Sequence, residues 1–294
     1  MNILVTGGAG FIGHHLVCKL IDSGHHVTII DDLSTGLIEN IEKLPEGSFE
    51  FYAIDLSKDS IPKIGNIDVV YHLAAPVSVE ESLSNPIKYE MGILNASKRL
   101  IDWCLENKVS SLVAASTAAV YGEPEIVPIN ESSDKNPLSP YAKFKLDMEN
   151  LLNSNHSKNL KCSALRFFNV FGEGQRDSGG YLSAVPIFMK QHKNSNPITV
   201  TGDGQQTRDW IYVGDVVEAM IQMYSEPYTK NMPIYNVGSG KETKVLDLAE
   251  SISSNIEFVK ERNEPKRSLA NIENILKISW SPKVNLLDWV KDNK

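Results

Sequence analysis

The sequence has few cysteines, no long apolar run and no excess of positive charge. Its three cysteines, Cys18, Cys104 and Cys162, are widely spaced and form no metal-ligand pair, so we expect free thiols in a reducing cytoplasm. No apolar run approaches the roughly 20 residues that a membrane helix needs, and strand-like sequence from Asn2 leaves no room for a signal peptide. The net charge of −8 argues against a nucleic-acid partner, whose binding normally needs a basic face. We expect a cytoplasmic protein with neither a membrane nor a nucleic acid as partner.

Apolar strands alternate with amphipathic helical stretches over the N-terminal part of the chain, as far as Val170. This alternation predicts an α/β fold with a doubly wound parallel sheet and helices on both of its faces. Strands are expected at Ile3–Thr6, Val27–Ile30, Phe49–Ile54, Asp68–His72, Ser111–Ala115, Cys162–Val170, Trp210–Val213 and Ile234–Val237. Helices are expected at Phe11–Asp22 and near Pro86–Asn107 and Ser139–Asn155.

The first predicted strand runs into a glycine-rich turn, Gly7–Gly13. Gly7, Gly10 and Gly13 fit the spacing G-x-x-G-x-x-G, and Gly8 completes the narrower G-x-G-x-x-G. Glycine suits such a turn because it tolerates positive φ and lets the backbone approach a pyrophosphate and the helix approach the strand. The N-terminus of the next helix offers free N–H groups to that anion. The position between strand and helix therefore predicts a dinucleotide site.

The second predicted strand ends in two acidic residues, Asp31 and Asp32. An acidic side chain roughly 20 positions past the glycines accepts hydrogen bonds from the adenosine ribose hydroxyls. It also repels a 2′-phosphate. The predicted cofactor is therefore NAD rather than NADP.

A tyrosine and a lysine are placed for acid–base chemistry at the start of a later helix. Tyr141 and Lys145 are four positions apart, which puts both side chains on one helix face. The phenol alone has a pKa near 10, and a neighbouring ammonium and a positive nicotinamide both favour the phenolate. Ser116 and Thr117 follow the strand Ser111–Ala115, where α/β enzymes place working residues. A hydroxyl there is suited to share a hydrogen bond with the phenol and a substrate alcohol.

Five motifs, in order, resemble the extended short-chain dehydrogenase/reductases, and among them the NAD-dependent epimerase/dehydratase family that acts on nucleotide sugars. The five motifs are Asp31–Gly36, Tyr71–Ala75, Ser116–Gly122, Arg166–Gly172 and Gly202–Trp210. The resemblance covers nearly the whole chain. It implies an NAD-binding Rossmann domain of residues 1–171 with about 209–240, interleaved with a smaller C-terminal nucleotide-sugar-binding domain of residues 172–208 and 241–294.

The resemblance also implies the roles of individual residues. Thr117, Tyr141 and Lys145 fall on the family's Ser/Thr–Tyr–Lys triad. Cofactor contacts are implied at Gly7, Gly10, Phe11, Ile12, Gly13, Asp31, Asp32, Ser34, Thr35, Gly36, Asp55, Leu56, Leu73, Ala74 and Ala75, besides Tyr141 and Lys145. Substrate contacts are implied at Ser82, Ser116, Thr117, Asn169, Arg208, Arg262 and Ser268. In this set Asp55 and Leu56 contact the adenine, while Asn169 and Arg208 hold the diphosphate.

The residues after the triad threonine bear on which reaction is catalysed. The family's dehydratases carry an Asp-Glu pair there and its decarboxylases keep the Glu, whereas this chain has Ala118 and Ala119. A methyl group transfers no protons, so elimination is disfavoured. We therefore expect NAD-dependent 4-epimerisation through a transient 4-keto sugar. The resemblance implies that the substrate is a UDP-hexose, and it leaves open glucose or galactose, their N-acetylated forms and their uronic forms. The alternatives are a nucleotide-sugar reductase, a dehydratase-type relative, or a non-catalytic NAD sensor, which has no use for the triad.

Two further expectations concern the sugar and the assembly. Aligning Ala270 and Asn271 with the family's Ala-Asp or Ala-Asn pair puts Ser268 where a bulky tyrosine restricts the pocket to plain hexoses, so a serine predicts that an N-acetyl group is admitted. The resemblance implies a homodimer through the helices near Pro86–Asn107 and Ser139–Asn155. Apolar stripes suited to that interface, or equally to packing on the sheet, contain Ile93, Leu100, Ile101 and Leu105.

Two positions depart from the family pattern. Ile93 and Ala96 stand where the family usually has Asn and Gly. In addition, the sequence from Arg262 to Pro265 matches the family's Arg-x-Gly-Asp poorly.

Overall fold

A computed structural model describes residues 1–177, 183–261 and 265–294. Its strands are β1 (Asn2–Thr6), β2 (His26–Asp31), β3 (Phe49–Ala53), β4 (Val69–His72), β5 (Ser111–Thr117), β6 (Lys161–Phe167), β7 (Asn169–Phe171), β8 (Ile198–Thr201), β9 (Thr207–Tyr212), β10 (Ile234–Val237), β11 (Glu242–Lys244) and β12 (Ile256–Val259). Its α-helices are α1 (Phe11–Asp22), α2 (Ile38–Glu42), α3 (Val79–Ser84), α4 (Pro86–Tyr89), α5 (Ala96–Glu106), α6 (Pro140–Asn155), α7 (Ala184–Lys193), α8 (Val213–Ser225), α9 (Val245–Ile252), α10 (Glu273–Leu276) and α11 (Leu286–Asn293). The predicted contact Arg262 lies outside the described residues.

The central sheet has seven strands in the order β10-β6-β5-β4-β1-β2-β3. The pairs β1–β2, β1–β4, β2–β3 and β4–β5 are parallel, with Val5 opposite Ile29 on one side and Tyr71 on the other. The strands β1, β2, β4 and β5 are buried almost throughout, as expected for parallel strands covered on both faces. The predicted doubly wound Rossmann-type fold is confirmed.

Helix α6, which carries the predicted tyrosine and lysine, begins where the sequence predicts. Pro140 occupies its first position, and the Ser139 hydroxyl accepts a hydrogen bond from the Ala142 N–H at 3.2 Å. Proline is preorganised for a first helical turn, and a serine cap satisfies one of the N–H groups that the turn leaves free. This start fixes which side chains of α6 face the sheet.

Two predicted elements are divided in the structure. The helix expected at Pro86–Asn107 is interrupted by a π-helical stretch, Glu90–Asn95, whose backbone hydrogen bonds span five residues instead of four. The strand expected at Cys162–Val170 ends at Phe167, and β7 then pairs with β9 in a separate three-stranded sheet of β11, β9 and β7. Apolar residues stand on both sides of each break, so the apolar pattern alone gives no sign of the breaks.

The chain divides into two compact units. The first contains residues 1–120, 137–166 and 217–234, and the second contains residues 121–136, 167–216 and 235–294, as far as these are described. The core of the first unit includes Leu4, Leu100 and Met148, and that of the second includes Phe171 and Leu248. The predicted boundaries of a cofactor domain and a substrate domain stay a prediction.

The apolar stripe predicted for a dimer interface lies mostly inside the first unit. Ile93, Leu100 and Ile101 are at most 2% exposed and pack in its core, so they are not available to a second molecule, and the expectation that they line an interface is wrong. The period of a helix identifies an apolar face but not the partner of that face. Leu105 is exposed, as are Ile87 and Met91 of the preceding stretch.

The three cysteines are free; Cys18 is half-buried, whereas Cys104 and Cys162 are buried, and burial raises the pKa of the Cys162 thiol to about 12. Within residues 1–177, 183–261 and 265–294, no helix has the length and apolar character to cross a bilayer. The same ranges contain no cluster of three His, Cys, Asp or Glu side chains able to hold a metal ion.

Candidate active site

The sheet order reverses beside β1, whose two neighbours are β2 and β4. In doubly wound sheets, ligands bind outside the carboxyl ends of the strands at this reversal point. The residues that follow β1 and β4 are Gly7 and Leu73, and both belong to segments predicted to contact the cofactor. The Leu73 N–H donates to the Thr6 carbonyl at 3.0 Å, which holds the two strand ends together.

The glycine turn is shaped by close backbone approaches. Gly7 has φ +74°, and a Cβ there would lie 2.6 Å from the Ala74 nitrogen. A Cβ on Gly13 would lie 2.0 Å from the Gly7 carbonyl oxygen, so the first turn of α1 packs directly on the turn. Phe11 and Ile12 open α1 and are half-buried. This backbone cradle, which side chains would fill, fits the pyrophosphate of a dinucleotide at a helix N-terminus.

Asp31 ties the glycine turn to the end of β2. Its carboxylate accepts hydrogen bonds from the Ala9 N–H at 3.0 Å and the Leu33 N–H at 2.9 Å. The side chain is 6% exposed, and burial raises its pKa. A Cβ on Gly36 would lie 2.7 Å from Oδ1, so Gly36 closes over the carboxylate. Each carboxylate oxygen has capacity for a second bond, which leaves acceptors for ribose hydroxyls.

The remaining predicted cofactor residues lie in the same unit as this turn. Asp32 accepts hydrogen bonds from the N–H and hydroxyl of Ser34 at 2.9 and 2.6 Å, and Ser34 and Thr35 are exposed. Burial raises the pKa of Asp55, but hydrogen bonds from Ser57 and Lys58 outweigh it and hold that pKa below its ordinary value. Leu56 and Ala75 complete the set, with Leu56 buried and Ala75 half-buried.

A buried chain of hydrogen bonds lies beneath the strand ends, and the sequence analysis missed it. The Ala74 N–H donates to the Thr6 hydroxyl at 3.4 Å, and that hydroxyl is 2.7 Å from His72 Nδ1. His72 Nε2 is 2.9 Å from the Ser97 hydroxyl, which donates to the Ile93 carbonyl at 2.5 Å. The hydroxyl proton of Ser97 is donated to the Ile93 carbonyl, so the Ser97 oxygen accepts a hydrogen bond from His72 Nε2. This assigns the Nε2–H tautomer to the His72 ring.

His72 is therefore a neutral residue beside the candidate site. Burial first, and the charge of Lys145 second, lower the pKa of His72 to about 3. The sequence signal was its place at the end of β4, but its partners Thr6 and Ser97 are distant in the chain.

The three residues of the predicted triad lie in the first unit, on β5 and α6. Thr117 ends β5, and its hydroxyl accepts the Ala119 N–H at 3.1 Å. The half-buried Tyr141 ring stands at 90° to the Tyr89 ring, with centroids 6.4 Å apart. Lys145 is 4% exposed, and its Nζ donates to the Ala115 carbonyl at 2.8 Å. Burial lowers the pKa of Lys145 to about 8, against the opposing effect of Glu149.

Two of the predicted substrate residues in the first unit, Ser82 and Ser116, are buried serines. Ser82 is fully buried and donates to the Val79 carbonyl at 2.6 Å. Ser116 is also buried and donates to the carboxylate of Glu149. Glu149 in turn forms a buried bidentate ion pair with Arg166, at 3.0 Å from Nε and 2.6 Å from a terminal guanidinium nitrogen. The sequence analysis missed Glu149, although its position four residues after Lys145 places it on the same helix face. The substrate contacts of Ser82 and Ser116 stay predictions.

In the second unit, the predicted residues gather around β9. The Asn169 amide donates to the Asp209 carbonyl at 3.0 Å, and Arg208 donates to the Thr207 carbonyl at 2.8 Å. The Asp209 carboxylate, which is fully buried, accepts the Ala270 N–H at 3.0 Å and so holds the half-buried Ser268 segment beside β9. Sequence reasoning missed this anchor, although Asp209 follows the predicted Arg208 directly.

A cavity of about 340 Å³ opens beside that segment. It is lined by Thr201, Gly202, Asp203, Gln205, Gln206, Glu261, Lys266 and Arg267. Arg267, next to Ser268, pairs with both carboxylate oxygens of Glu242 at 2.7 Å. Polar and charged side chains of threonine, aspartate, glutamine, glutamate, lysine and arginine therefore line this cavity, and the predicted Asn169, Arg208 and Ser268 are not among the lining residues.

The sequence profile of the NAD dependent epimerase/dehydratase family matches residues 3–238. A Methanocaldococcus jannaschii protein, provisionally named a UDP-glucose 4-epimerase, is 37% identical over 315 residues, covering 99% of each chain.

Solved structures extend the similarity to three dimensions. The UDP-N-acetylglucosamine 4-epimerase of Methanobrevibacter ruminantium, in complex with UDP-N-acetylmuramic acid, is 37% identical with a TM-score of 0.93, covering 99% of this chain and 96% of its own. The UDP-glucuronic acid 4-epimerase of Bacillus cereus, solved with UDP-glucuronic acid and NAD, is 32% identical with a TM-score of 0.86, covering 100% of this chain and 98% of its own.

Proposed function

This chain belongs to the NAD-dependent epimerase/dehydratase family, and on that premise we propose that it catalyses the 4-epimerisation of a UDP-sugar. The observation that carries the proposal is the buried Lys145 one helical turn from Tyr141, on a helix that packs against the end of β5. A lysine there has no reason to be buried for stability, because burying an ammonium is costly. Its charge is useful beside a phenol that must lose a proton.

The residues of this chain have complementary tasks in the proposed reaction. NAD, held by the glycine turn and Asp31, supplies a reversible hydride acceptor when bound. Tyr141 accepts the proton of the sugar C4 hydroxyl as the sugar becomes a 4-keto sugar, and it returns a proton when the opposite C4 configuration forms. The Thr117 hydroxyl shares the hydrogen bond between that phenol and the substrate. The ammonium of Lys145 favours the phenolate form of Tyr141.

Two alanines favour epimerisation over elimination. Ala118 and Ala119 directly follow Thr117 in a short 3-10 turn, and both are half-buried. Dehydration of the sugar needs a further acid and base next to the triad, and methyl groups supply neither. A dehydratase-type activity therefore lacks its proton donors at these two positions.

The proposal is tested by Tyr141→Phe, which removes the proton relay and keeps the ring. General acid–base groups contribute about 10²- to 10⁴-fold in rate, so turnover of UDP-sugars should fall by that factor. NAD content should stay at the wild-type level. Tyr228→Phe, at a partly exposed tyrosine of the first unit that stacks on His156, is the matched control and should retain activity. Activity of Tyr141→Phe within about threefold of wild type would refute the assignment.

The proposed substrate is a UDP-sugar with an N-acetyl group at C2. Support comes from Ser268, a small residue at the predicted gate, and from the 37% identity to an enzyme named as a UDP-N-acetylglucosamine 4-epimerase. A serine leaves open the space that a tyrosine ring would fill, and its hydroxyl can donate to an acetamido oxygen.

Product chromatography on a panel of plain, N-acetylated and uronic UDP-sugars tests the substrate. Ser268→Tyr should suppress turnover of UDP-N-acetylglucosamine and spare UDP-glucose if that sugar is used, because a buried overlap costs about 1–3 kcal/mol. Ser254→Tyr, at an exposed loop serine of the same unit, should leave the preference as it is. An unchanged preference for acetylated over plain sugars in Ser268→Tyr would exclude this residue as the gate.

A further inference from the structure

We propose that Glu149, paired with Arg166, is a positioning residue that keeps Lys145 in its charged form next to Tyr141. The inference rests on the proposed function, because the charge of Lys145 matters there through the phenol. Neither Glu149 nor Arg166 is among the residues predicted to contact cofactor or substrate.

The spacing on α6 brings these groups together. Tyr141, Lys145 and Glu149 follow one another at intervals of four, which is one face of a helix. Lys145 and Glu149 are both buried, at 4% and 2% exposure. A carboxylate one turn from a buried ammonium is close enough to act on it with little screening by water.

Both side chains are fixed to consecutive residues of β5. Lys145 Nζ donates to the carbonyl of Ala115 at 2.8 Å, and the hydroxyl of Ser116 donates to Glu149. Thr117, the next residue, is the predicted triad threonine. The helix face and the strand end are therefore joined at two successive points, which fixes the distance between the carboxylate and the ammonium.

Arg166 makes the buried carboxylate possible. Its guanidinium donates to both oxygens of Glu149 from β6, at 3.0 and 2.6 Å, and both side chains are 2% exposed. A buried carboxylate without such a partner is strongly destabilising. A buried ion pair, however, contributes little more to the stability of the fold than apolar residues of the same volume would. The Glu149–Arg166 pair has a function beyond packing if it keeps Lys145 charged.

Among the charged and titratable groups of the described residues that act on Lys145, Glu149 is the anion. From α6 itself come Tyr141 and Glu149, from β4 comes His72, whose pKa is lowered by burial and by the charge of Lys145, and from β6 comes Arg166 through its pair with Glu149. Burial lowers the pKa of Lys145 and Glu149 raises it, with a result of about 8. Without Glu149, burial acts unopposed, and Lys145 loses its proton at a lower pH.

The test compares three variants by the pH dependence of kcat/KM. Glu149→Gln removes the charge at nearly constant shape, and Glu149→Gln with Arg166→Met removes both charges and leaves no unpaired ion. Arg166→Lys keeps both charges but loses the bidentate geometry. The alkaline limb should move to lower pH by about one unit in Glu149→Gln, by less in the double variant, and hardly at all in Arg166→Lys.

A merely structural role gives a different result. Kcat would fall in all three variants, and the alkaline limb would stay at the wild-type pH. That outcome would overturn the inference. If Glu149→Gln does not fold, the double variant still decides, because it buries no unpaired charge and its limb should lie below that of wild type.

A second readout does not depend on turnover. The free energy of unfolding is measured against pH for the parent and for Lys145→Met. Since the pKa of Lys145 is lowered from its ordinary 10.5 in the folded state, the cost of burying its charge is full below about pH 8 and is relieved as pH rises towards 10.5. The difference in the free energy of unfolding between the two proteins begins to change at a certain pH, which we call the break. The break reports the pKa of Lys145 in the folded state.

In a Glu149→Gln background, and likewise in the double variant, this break should occur at lower pH. If the break moves while no UDP-sugar is turned over, the proposed function fails and the coupling stands. An active enzyme in which neither the break nor the alkaline limb moves would refute the coupling while the proposed function stands.

Discussion

Alanine substitutions in the glycine turn should separate a structural glycine from one that serves the cofactor. Gly13→Ala places a methyl group 2.0 Å from the Gly7 carbonyl oxygen. Gly10→Ala places one 3.2 Å from the same oxygen, at an ordinary φ of −76°. Gly24→Ala is a control in the same unit, with φ +78° and no neighbour within 4 Å. The three changes are chemically identical and differ only in their surroundings.

The geometry sets the size of each effect. To accept the methyl group of Gly13→Ala, the first turn of α1 and the backbone at Gly7 must separate by about an ångström or more. Gly7 has no room to move away, because the Ala74 nitrogen lies close to its other side. Overpacking of this kind costs about 1–3 kcal/mol or more, which exceeds the roughly 1 kcal/mol that alanine gains over glycine in a helix. We expect a net loss of about 2 kcal/mol, or about 4–8 °C in Tm for a unit of this size.

Milder losses are expected at the other two positions. Gly10→Ala should cost less than about 1 kcal/mol, since only the helix cap changes. Gly24→Ala should cost about 1–2 kcal/mol, from its left-handed backbone alone. NAD binding should nevertheless fall in Gly10→Ala, because its methyl group stands where the backbone approaches the pyrophosphate.

The assay is urea denaturation of the NAD-free protein, with bound NAD measured separately. Gly13→Ala should lose both stability and NAD, Gly10→Ala chiefly NAD, and Gly24→Ala some stability but no NAD. If Gly13→Ala matched Gly24→Ala in both measurements, the close approach of α1 to the turn would not be present in solution.

Two further predictions concern the cofactor and the assembly. Calorimetry should show tighter binding of NAD than of NADP. On acidification, the affinity for NAD should begin to fall at a higher pH than it would with an aspartate of ordinary pKa. The reason is that burial raises the pKa of Asp31 and that ribose hydroxyls donate hydrogen bonds to its ionised form. Equal binding of NADP, or the same acid dependence in Asp31→Asn, would contradict this role. Light scattering at micromolar concentration should give twice the chain mass of 32.6 kDa, and Ile87→Glu, at a side chain 72% exposed, should give the monomer. A monomeric wild type would refute the dimer.

The sequence by itself determined the features that depend on short spacings. The strand–turn–helix at Gly7–Gly13 requires glycine at fixed positions, and a strand ending in Asp31 follows at the expected distance. The interval of four between Tyr141 and Lys145 places both on one helix face wherever that helix packs. These are local rules of backbone geometry, and the structure contains the corresponding turn, strand end and helix.

The partners of buried polar groups were decided only by the tertiary structure. Glu149 meets Arg166 and Ser116 because α6, β6 and β5 pack together, and no spacing in the sequence encodes that meeting. The same holds for His72, whose two ring nitrogens are satisfied by Thr6 and Ser97, 66 and 25 positions away in the chain.

The apolar face of the helical stretch after Pro86 shows the same limit. Periodicity identified Ile93 and Leu100 as members of one stripe, but a stripe fits a sheet as well as a second molecule. Packing in the core of the first unit buried them, and the helical stretch that carries them is partly π-helical. Side-chain chemistry and short spacings fix what a residue is able to do, whereas the packing of distant elements fixes which partner it finds.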